Sequence, residues 1–191
     1  IRDSSYPENF DNVYDFCYKN KIPLVLASTG HQQKQIKKLE KLAKKVAVLK
    51  APNLSEGIAF FKQELLTPMI QLVKRKIYDS NSLVSDSLAS DLKIRISETH
   101  HEKKKDAPSG TALDLKDFIQ KDINSLEIEI ESVRDKSSVG KHEVIFTIKN
   151  EEYIVSHNAL SRDIFGEGLN LALSLKDKNP GIYSMADLLK G

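Results

Sequence analysis

Fifteen residues, 98–112, hold two adjacent imidazoles, three consecutive lysines and a Ser-Gly-Thr turn. Imidazole exchanges its proton near physiological pH, so His100 or His101 could deliver a proton to a substrate. The lysines Lys103–Lys105 supply local positive charge, which attracts carboxylates more strongly in a partly closed site than in bulk water. The segment therefore predicts a proton donor beside a site for a small anion.

The element that carries the two histidines decides which of them can act. Alternating apolar residues at Leu92, Ile94 and Ile96 predict a strand that leads into the pair. Adjacent side chains of an extended segment point in opposite directions. We therefore expect only one of His100 and His101 to be the acid, while the other could bind or orient the substrate.

A helix is predicted to begin just after the lysines, within Pro108–Thr111. Free backbone N–H groups at a helix start bind anions, and Gly110 lets a ligand approach the backbone. The hydroxyls of Ser109 and Thr111 add donors. Each feature alone also fits an ordinary structure, a solvated lysine loop or a routine N-cap at Ser109, and it is their combination that favours a functional site.

The whole chain offers no comparable signal. It has 191 residues, 40% of them hydrophobic and 29% charged, with a net charge of +2, which gives no global reason to bind nucleic acid. No apolar run approaches the roughly 18 residues that span a membrane, and no signal peptide is visible. The single cysteine, Cys17, cannot form an internal disulfide, which favours a reducing, cytoplasmic location.

Helix and strand patterns alternate in the first half of the chain, which is typical of half a doubly wound α/β fold. The predicted elements are a helix over 7–19, a strand over 22–27, a helix over 32–45, a strand over 46–49 and a long helix over 55–76. Pro68 is expected to kink or split the long helix because it lacks a backbone N–H. Cys17 lies on the apolar side of its helix, so we expect it in the core.

The second half changes to period-2 alternation, which predicts strands with one buried face and a mixed, mostly antiparallel sheet of α+β type. The predicted elements are a loop over 79–91, strands around 92–96, 126–130 and 144–148, a helix over 110–121, a hairpin turn at 149–152 into a strand at 153–155, a helix over 163–176, a break at 179–181 and a capped turn from Ser184. The final helix could return to the first domain.

Residues 98–112 resemble the signature of the 4-hydroxy-tetrahydrodipicolinate reductase (dihydrodipicolinate reductase) family of bacterial lysine biosynthesis, with the pattern Glu-x-His-His-x-x-Lys-x-Asp-Ala-Pro-Ser-Gly-Thr-Ala. Four further segments are similar to family segments: Ile1–Pro7, Ala27–Gly30, Ala51–Gly57 and Ser161–Gly168. The resemblance implies a partial Rossmann-like dinucleotide-binding domain, residues 1–54 with 166–191, and a substrate-binding and oligomerisation domain, residues 55–165.

The resemblance also implies an activity and a site. NADPH or NADH would reduce a small cyclic dicarboxylate in the diaminopimelate route, in a cytoplasmic homotetramer. The proton donor would be His100, and Lys104 would assist by charge. The substrate would be held by His101, Lys104, Ser109, Gly110 and Thr111. The cofactor would be touched by two turns after strand ends, made of Ala27, Ser28 and Thr29 and of Ala51, Pro52, Asn53 and Leu54.

The chain departs from the family in lacking the glycine-rich turn that binds the cofactor pyrophosphate. Two explanations stay open. A longer parent protein is only partly represented, which we favour, or the chain is a shortened relative with impaired cofactor binding. The departure also leaves a second function class open, a non-catalytic dicarboxylate-binding or assembly module. The intact set of His100, Lys104 and Ser109–Thr111 favours the enzyme.

A second departure lies over 134–142, where the family usually carries more glycines and an acidic residue before its histidine. We expect a structural role for His142 on a strand, and surface or packing roles for His31 and His157. A role of Lys103–Lys105 in nucleic-acid binding is disfavoured, because no interleaved aromatic residues or broader basic stripe accompany them.

Overall fold

The computed structural model describes residues 1–3, 7–78, 92–124 and 126–190, so the loop predicted over 79–91 lies outside the described residues. Two compact units form: Ile1–Ala59 with Asp163–Gly191, and Phe60–Arg162. Each unit has its own sheet. The predicted fold class, an α/β part followed by a mixed, mostly antiparallel sheet, is confirmed.

The described residues form eight strands and seven α-helices. The strands are β1 (Arg2–Asp3), β2 (Leu24–Leu26), β3 (Ala47–Lys50), β4 (Leu92–His101), β5 (Ile128–Asp135), β6 (Gly140–Ile148), β7 (Glu151–Ala159) and β8 (Gly181–Tyr183). The helices are α1 (Phe10–Asn20), α2 (Gln33–Ala43), α3 (Glu56–Phe60), α4 (Thr67–Tyr78), α5 (Gly110–Gln120), α6 (Asp163–Ala172) and α7 (Met185–Leu189).

The first unit is built on a parallel sheet in the order β1-β2-β3-β8. All three residues of β2 are buried, as expected for a parallel strand covered on both faces. One apolar cluster packs α1 and α2 against the sheet and includes the buried Cys17, so its predicted core position is confirmed. A second cluster packs α6 and α7 against the sheet, with Leu54 and Ala172 among its members.

Strand β8 is the element that the sequence prediction missed. A break was predicted at 179–181, but Gly181–Tyr183 pairs in parallel with β3, Val48 opposite Ile182. A strand of three residues that begins at the glycine of a Pro-Gly pair is too short to show a period-2 pattern. The short helix that follows begins at Ser184, whose hydroxyl accepts from the N–H of Asp187, as the predicted capped turn requires.

The second unit is built on a mixed sheet in the order β5-β4-β6-β7, in which only the β4–β5 pair is parallel. One face of this sheet is covered by α5 and by the helical segment over 61–78, with Leu115, Ile96 and Phe146 in the shared core. The hairpin between β6 and β7 turns at Lys149 and Asn150, where Lys149 takes a positive φ of 56°. The strands are longer than predicted because apolar alternation stops before their polar ends.

The long helix predicted over 55–76 changes its hydrogen-bond register before Pro68. Residues Phe61–Leu66 form a π-helical segment between α3 and α4, and the N–H of Thr67 bonds the carbonyl of Lys62 five residues back. The hydroxyl of Thr67 donates to the same carbonyl at 3.0 Å. A proline at position 68 offers no N–H to its preceding turn, and the wider π register accommodates this local loss.

Helix α6 offers a matched pair of glycines for a stability test. A Cβ at Gly168 would lie 1.6 Å from the carbonyl oxygen of Leu54, whereas a Cβ at Gly166 would meet nothing within 4 Å. We expect Gly168→Ala to lower the free energy of unfolding by about 1–3 kcal/mol or more, because backbone must move. Gly166→Ala should raise it by about 0.5–1 kcal/mol. Urea denaturation measures both, and equal effects would contradict the close packing at Gly168.

Candidate active site

The two histidines of the 98–112 segment lie on opposite faces of β4, as predicted. His100 is 8% exposed and faces the covered side of the sheet, whereas His101 is half-buried and faces the other way. The strand runs on to His101, beyond the apolar alternation that indicated it. The buried imidazole is thus held in a rigid element at the edge of the core, which suits a group that must be aimed.

Three strands place polar side chains around His100 by register. Arg134 on β5 pairs with His100, His142 on β6 lies opposite Glu98, and Gly140 on β6 lies against the His100 ring. Side chains two residues apart on a strand share a face, so Glu98 and His100 project into the same space. Glu98 is fully buried and His142 is 3% exposed, which makes this end of the core a polar cluster rather than an apolar one.

The carboxylate of Glu98 connects two cationic or potentially cationic groups. One oxygen, Oε2, contacts Nδ1 of His100, and the other, Oε1, accepts from Nη1 of Arg134 at 3.0 Å. Burial raises the pKa of Glu98, but hydrogen bonds from Ser132 and Arg134 outweigh it and hold this pKa below its usual range. Glu98 is therefore a carboxylate at neutral pH.

The pKa of His100 is lowered, chiefly because burial disfavours the imidazolium. The negative charge of Glu98 opposes this effect, while the positive charges of Lys104 and Arg134 add to it. The ring also lies edge-on to His142, with centroids 5.1 Å apart. His100 can therefore give up a proton readily once it has one, which is the property of a general acid.

Lys104 is held by the loop between β4 and α5. Its Nζ bonds both carboxylate oxygens of Asp106 at 2.8 Å. Burial raises the pKa of Asp106, but the hydrogen bond and charge of Lys104 outweigh it and keep this pKa below its usual range. Arg134 fixes the same loop from β5, because its Nη2 donates to the carbonyl of Asp106 at 2.7 Å.

Helix α5 begins over this cluster. Ser109 is its N-cap, and its Oγ accepts from the N–H of Ala112 at 3.2 Å and lies 3.3 Å from Nε2 of His142. Thr111 is buried beside it. The N-cap role that the sequence allowed for Ser109 is thus present, and the helix start also faces the histidine cluster.

On the other face of β4, Nε2 of His101 lies 2.8 Å from Nη2 of Arg162. These two residues line a pocket of about 440 Å³ together with Lys103, Lys136, Ser137, Ser138, Val139 and one acidic residue, Glu102, so that its cations outnumber its carboxylate. The pocket therefore presents positive charge and donors, a chemistry that suits an anion.

The predicted cofactor turns lie in the first unit, at adjacent strand ends. Strands β2 and β3 are parallel, Leu26 pairs with Lys50, and the N–H of Ala51 donates to the carbonyl of Leu26 at 2.9 Å. The turn of Ala27, Ser28 and Thr29 is half-buried or exposed, and Ser28 bonds His31 at 3.1 Å. Ala51 and Leu54 are buried, so Pro52 and Asn53 present the accessible side chains of the second turn.

The sequence indicated no role for Glu98 and Arg134 in the His100 cluster or for Arg162 beside His101, and it predicted only a structural role for His142. The period of two could have placed Glu98 beside His100, because both follow the buried alternation of β4. No local pattern could have placed Arg134 or His142, since their positions depend on which strands pair and in which register.

Glu98, His100 and His142 also offer ligand atoms within 4.8 Å of one another, a set that could hold a divalent metal. However, the positive charges of Arg134 and Lys104 act on the same side chains, and they would repel a metal cation bound there. The electrostatics of the cluster favour an anionic ligand instead.

None of the described helices is long and apolar enough to cross a membrane.

Comparison with known proteins matches both parts of the chain. Residues 2–54 match the family described as dihydrodipicolinate reductase, N-terminus, and residues 77–189 match dihydrodipicolinate reductase, C-terminus. A 4-hydroxy-tetrahydrodipicolinate reductase of Caldanaerobacter subterraneus subsp. tengcongensis is 35% identical, covering 100% of this chain and 76% of its own length. One of Thermosipho africanus is 33% identical, covering 100% of this chain and 78% of its own length.

A solved structure has the same fold. It is described as a dipicolinate-bound dihydrodipicolinate reductase from Paenisporosarcina sp. TG-14, and it aligns with a TM-score of 0.64 over 96% of this chain and 70% of that one. Sequence identity in this alignment is 20%, so the likeness bears on the fold alone.

His142 gives the site a measurable signature in stability. Burial, followed by the charge of His100, lowers the pKa of His142 to about 3, from an ordinary value of 6.5. Below pH 6.5, His142 therefore binds a proton in the unfolded chain but not in the folded chain. The free energy of unfolding consequently falls as the pH falls toward 3. The free energy of unfolding should drop by up to about 1.4 kcal/mol per pH unit through this window.

Urea denaturation at pH 7, 6 and 5 measures that slope in the parent chain and in His142→Gln, which keeps a polar group beside Ser109. The variant should lose less stability per pH unit than the parent. His100 and His157, whose pKa values burial also lowers, leave a residual slope in both proteins. Identical slopes would contradict the assignment of a neutral, buried His142.

Proposed function

The chain belongs to the dihydrodipicolinate reductase family, and on this premise we propose that it is a 4-hydroxy-tetrahydrodipicolinate reductase of the diaminopimelate route. The resemblance predicted from the sequence is thereby confirmed at the level of the family. The observation that carries the proposed activity is the buried imidazole of His100, held by Glu98 on β4 beside the start of α5. That arrangement joins a proton donor to an anion-binding helix start.

His100 is the proposed proton donor of the reduction. A bound reduced nicotinamide supplies a hydride, so the protein must add one proton to the substrate to complete the transfer. Burial lowers the pKa of His100, which makes its imidazolium a stronger acid, and Oε2 of Glu98 contacts Nδ1, where its charge stabilises that cation. Lys104 adds positive charge near the same ring and favours an anionic substrate or intermediate.

The substrate is proposed to be a small dicarboxylate held from α5 and the preceding loop. Backbone N–H groups at Gly110 and Thr111 lie in the first turn of α5, where the helix dipole favours negative charge. Ser109 is the N-cap of this turn and contacts His142, and the carboxylate of Asp106 accepts hydrogen bonds from both Lys104 and the backbone of Gly110. We also propose His101 as a carboxylate contact, made from the Arg162 pocket on the face of β4 opposite to His100.

We propose NADPH or NADH as the cofactor, contacted by the turns Ala27–Thr29 and Ala51–Leu54. Both turns follow carboxyl ends of neighbouring parallel strands, which is where open α/β sheets bind dinucleotides. Leu54 is anchored in the core and Ala51 is fixed to β2, so the turn that carries Pro52 and Asn53 is held in place. A preorganised turn costs little entropy when a cofactor binds.

The activity is tested with the full-length protein, freshly generated substrate and either NADPH or NADH, by following absorbance of the reduced nicotinamide. His100→Gln should lower kcat by about 10²–10⁴-fold, the usual contribution of a general acid, while the far-UV circular dichroism stays unchanged. Asp122→Asn removes a surface ion pair with Lys74 and is the matched control, with kcat expected near the parent value.

A parent protein that binds the dicarboxylate but oxidises neither cofactor would contradict the reductase and support a non-catalytic dicarboxylate-binding module. A His100→Gln variant with the kcat of the parent protein would be consistent with the reductase activity but would disprove the role of His100 as the proton donor.

We also propose a cytoplasmic homotetramer, assembled through the sheet face of the second unit that α5 does not cover. Ile154 on β7 is 55% exposed there and lies opposite Ile145 on β6, and Val133 on β5 is exposed on the same face. Apolar side chains on an uncovered sheet are a liability unless another subunit covers them. The buried free thiol of Cys17 agrees with a reducing compartment.

The assembly is tested by light scattering after size-exclusion chromatography. Ile154→Lys should shift the protein from tetramer to smaller species, because a charge would be buried in the interface. Leu173→Lys introduces the same charge at an exposed leucine of the first unit and should leave the mass unchanged. A parent protein that is monomeric at micromolar concentration would overturn the tetramer.

A further inference from the structure

We propose that Glu98 and Arg134 are positioning residues that fix which nitrogen of His100 carries the transferable proton. The proposal rests on the reductase function, because it concerns the donor of that reaction. Neither residue was expected to act from the sequence. Both are placed by strand pairing next to the ring that they would control.

The burial of Glu98 requires that both oxygens of its carboxylate have partners. Its side chain is fully buried, and a buried carboxylate is unfavourable by several kcal/mol unless it is paired and hydrogen-bonded. Arg134 donates to one oxygen, Oε1, at 3.0 Å, and Ser132 also hydrogen-bonds the carboxylate, while the other oxygen, Oε2, contacts the ring nitrogen Nδ1 of His100. A carboxylate only accepts hydrogen bonds, so Nδ1 must hold a hydrogen toward it.

This pairing assigns the roles of the two ring nitrogens. With Nδ1–H donated to Glu98, the neutral ring carries its free lone pair on Nε2, and the charged ring carries its second proton there. Nε2 faces Gly140, where a Cβ would lie 3.1 Å away. The absence of a side chain at Gly140 keeps room at the nitrogen that would exchange the proton.

Arg134 connects this pairing to the loop that carries Lys104. Its guanidinium donates to Glu98, to the carbonyl of Asp106 at 2.7 Å and, through Nε, to the carbonyl of Lys104 at 3.4 Å. A planar guanidinium holds several acceptors in one fixed geometry, which an ammonium cannot do. Movement of the loop would therefore move the carboxylate that orients His100.

The charged and titratable groups facing His100 come from each neighbouring element: Glu98 from β4, Arg134 from β5, His142 from β6 and Lys104 from the loop before α5. Of these, only Glu98 favours the imidazolium. Burial, Lys104 and Arg134 all lower the pKa of His100. Loss of the Glu98 charge should therefore lower this pKa further and release the preference for Nδ1–H.

The test compares the full-length parent with Glu98→Gln, Glu98→Asp and the control Asp122→Asn, using ¹⁵N-labelled histidine and nitrogen chemical shifts. The signal of His100 is assigned by its loss in His100→Gln. In the parent and in the control, neutral His100 should be the Nδ1–H tautomer. In Glu98→Gln it should lose that preference and titrate at lower pH, and Glu98→Asp should lie between the two.

Turnover supplies the second measurement. For Glu98→Gln, kcat at pH 7 should fall by about tenfold or more, with KM nearly unchanged, and the alkaline fall of kcat should move to lower pH. Glu98→Asp should recover part of the activity, which a merely structural role would not require. If Glu98→Gln is too unstable to assay, Glu98→Asp alone must still show the smaller shifts in tautomer and pH profile.

The two measurements separate this proposal from the reductase itself. An unchanged tautomer and titration of His100 in both Glu98 variants would overturn the positioning role, whatever the turnover. A changed tautomer in a parent protein without turnover would overturn the reductase and leave the orientation of His100 by Glu98 established.

Discussion

The buried carboxylate of Glu98 is the constraint on which the site depends. A charge at that depth is tolerated because Arg134, Ser132 and His100 all contact the carboxylate, and strand register fixes the position of each of these partners. The apolar core of the second unit runs beneath the same sheet face and ends where this cluster begins. Packing of the core and alignment of the polar groups are therefore consequences of one pairing pattern.

Much of the architecture follows from the sequence, because it is carried by local patterns. Helical spacing in 7–19 and 32–45 and alternation around 92–96 and 144–148 each reflect one apolar face, and the structure has these elements with shifted ends. The polar end of β5, Glu131–Asp135, could not be predicted in the same way, because the apolar alternation stops at Ile130. Strand β8 was not predicted from the sequence because it forms by pairing with β3, which is distant along the chain.

The candidate site divides in the same way. The segment 98–112 is contiguous, so its histidines, lysine and helix start could be recognised together. Arg134 and His142 approach the site only after β5 and β6 have paired with β4, and a single sequence does not specify that pairing. Burial then changes the chemistry: the imidazole of His142 resembles that of His101 in the sequence, yet its surroundings keep it neutral far into the acid range.

The two-sided nature of β4 limits how this chain can change its length. Consecutive residues of a strand alternate between faces, so inserting or deleting one residue between Ile96 and His100 would exchange the faces of His100 and His101. His100 would then leave the Glu98 carboxylate and face Arg162, and His101 would enter the core. Length variation should accordingly be accepted in the connections outside the paired strands and rejected within β4, whatever residue is added.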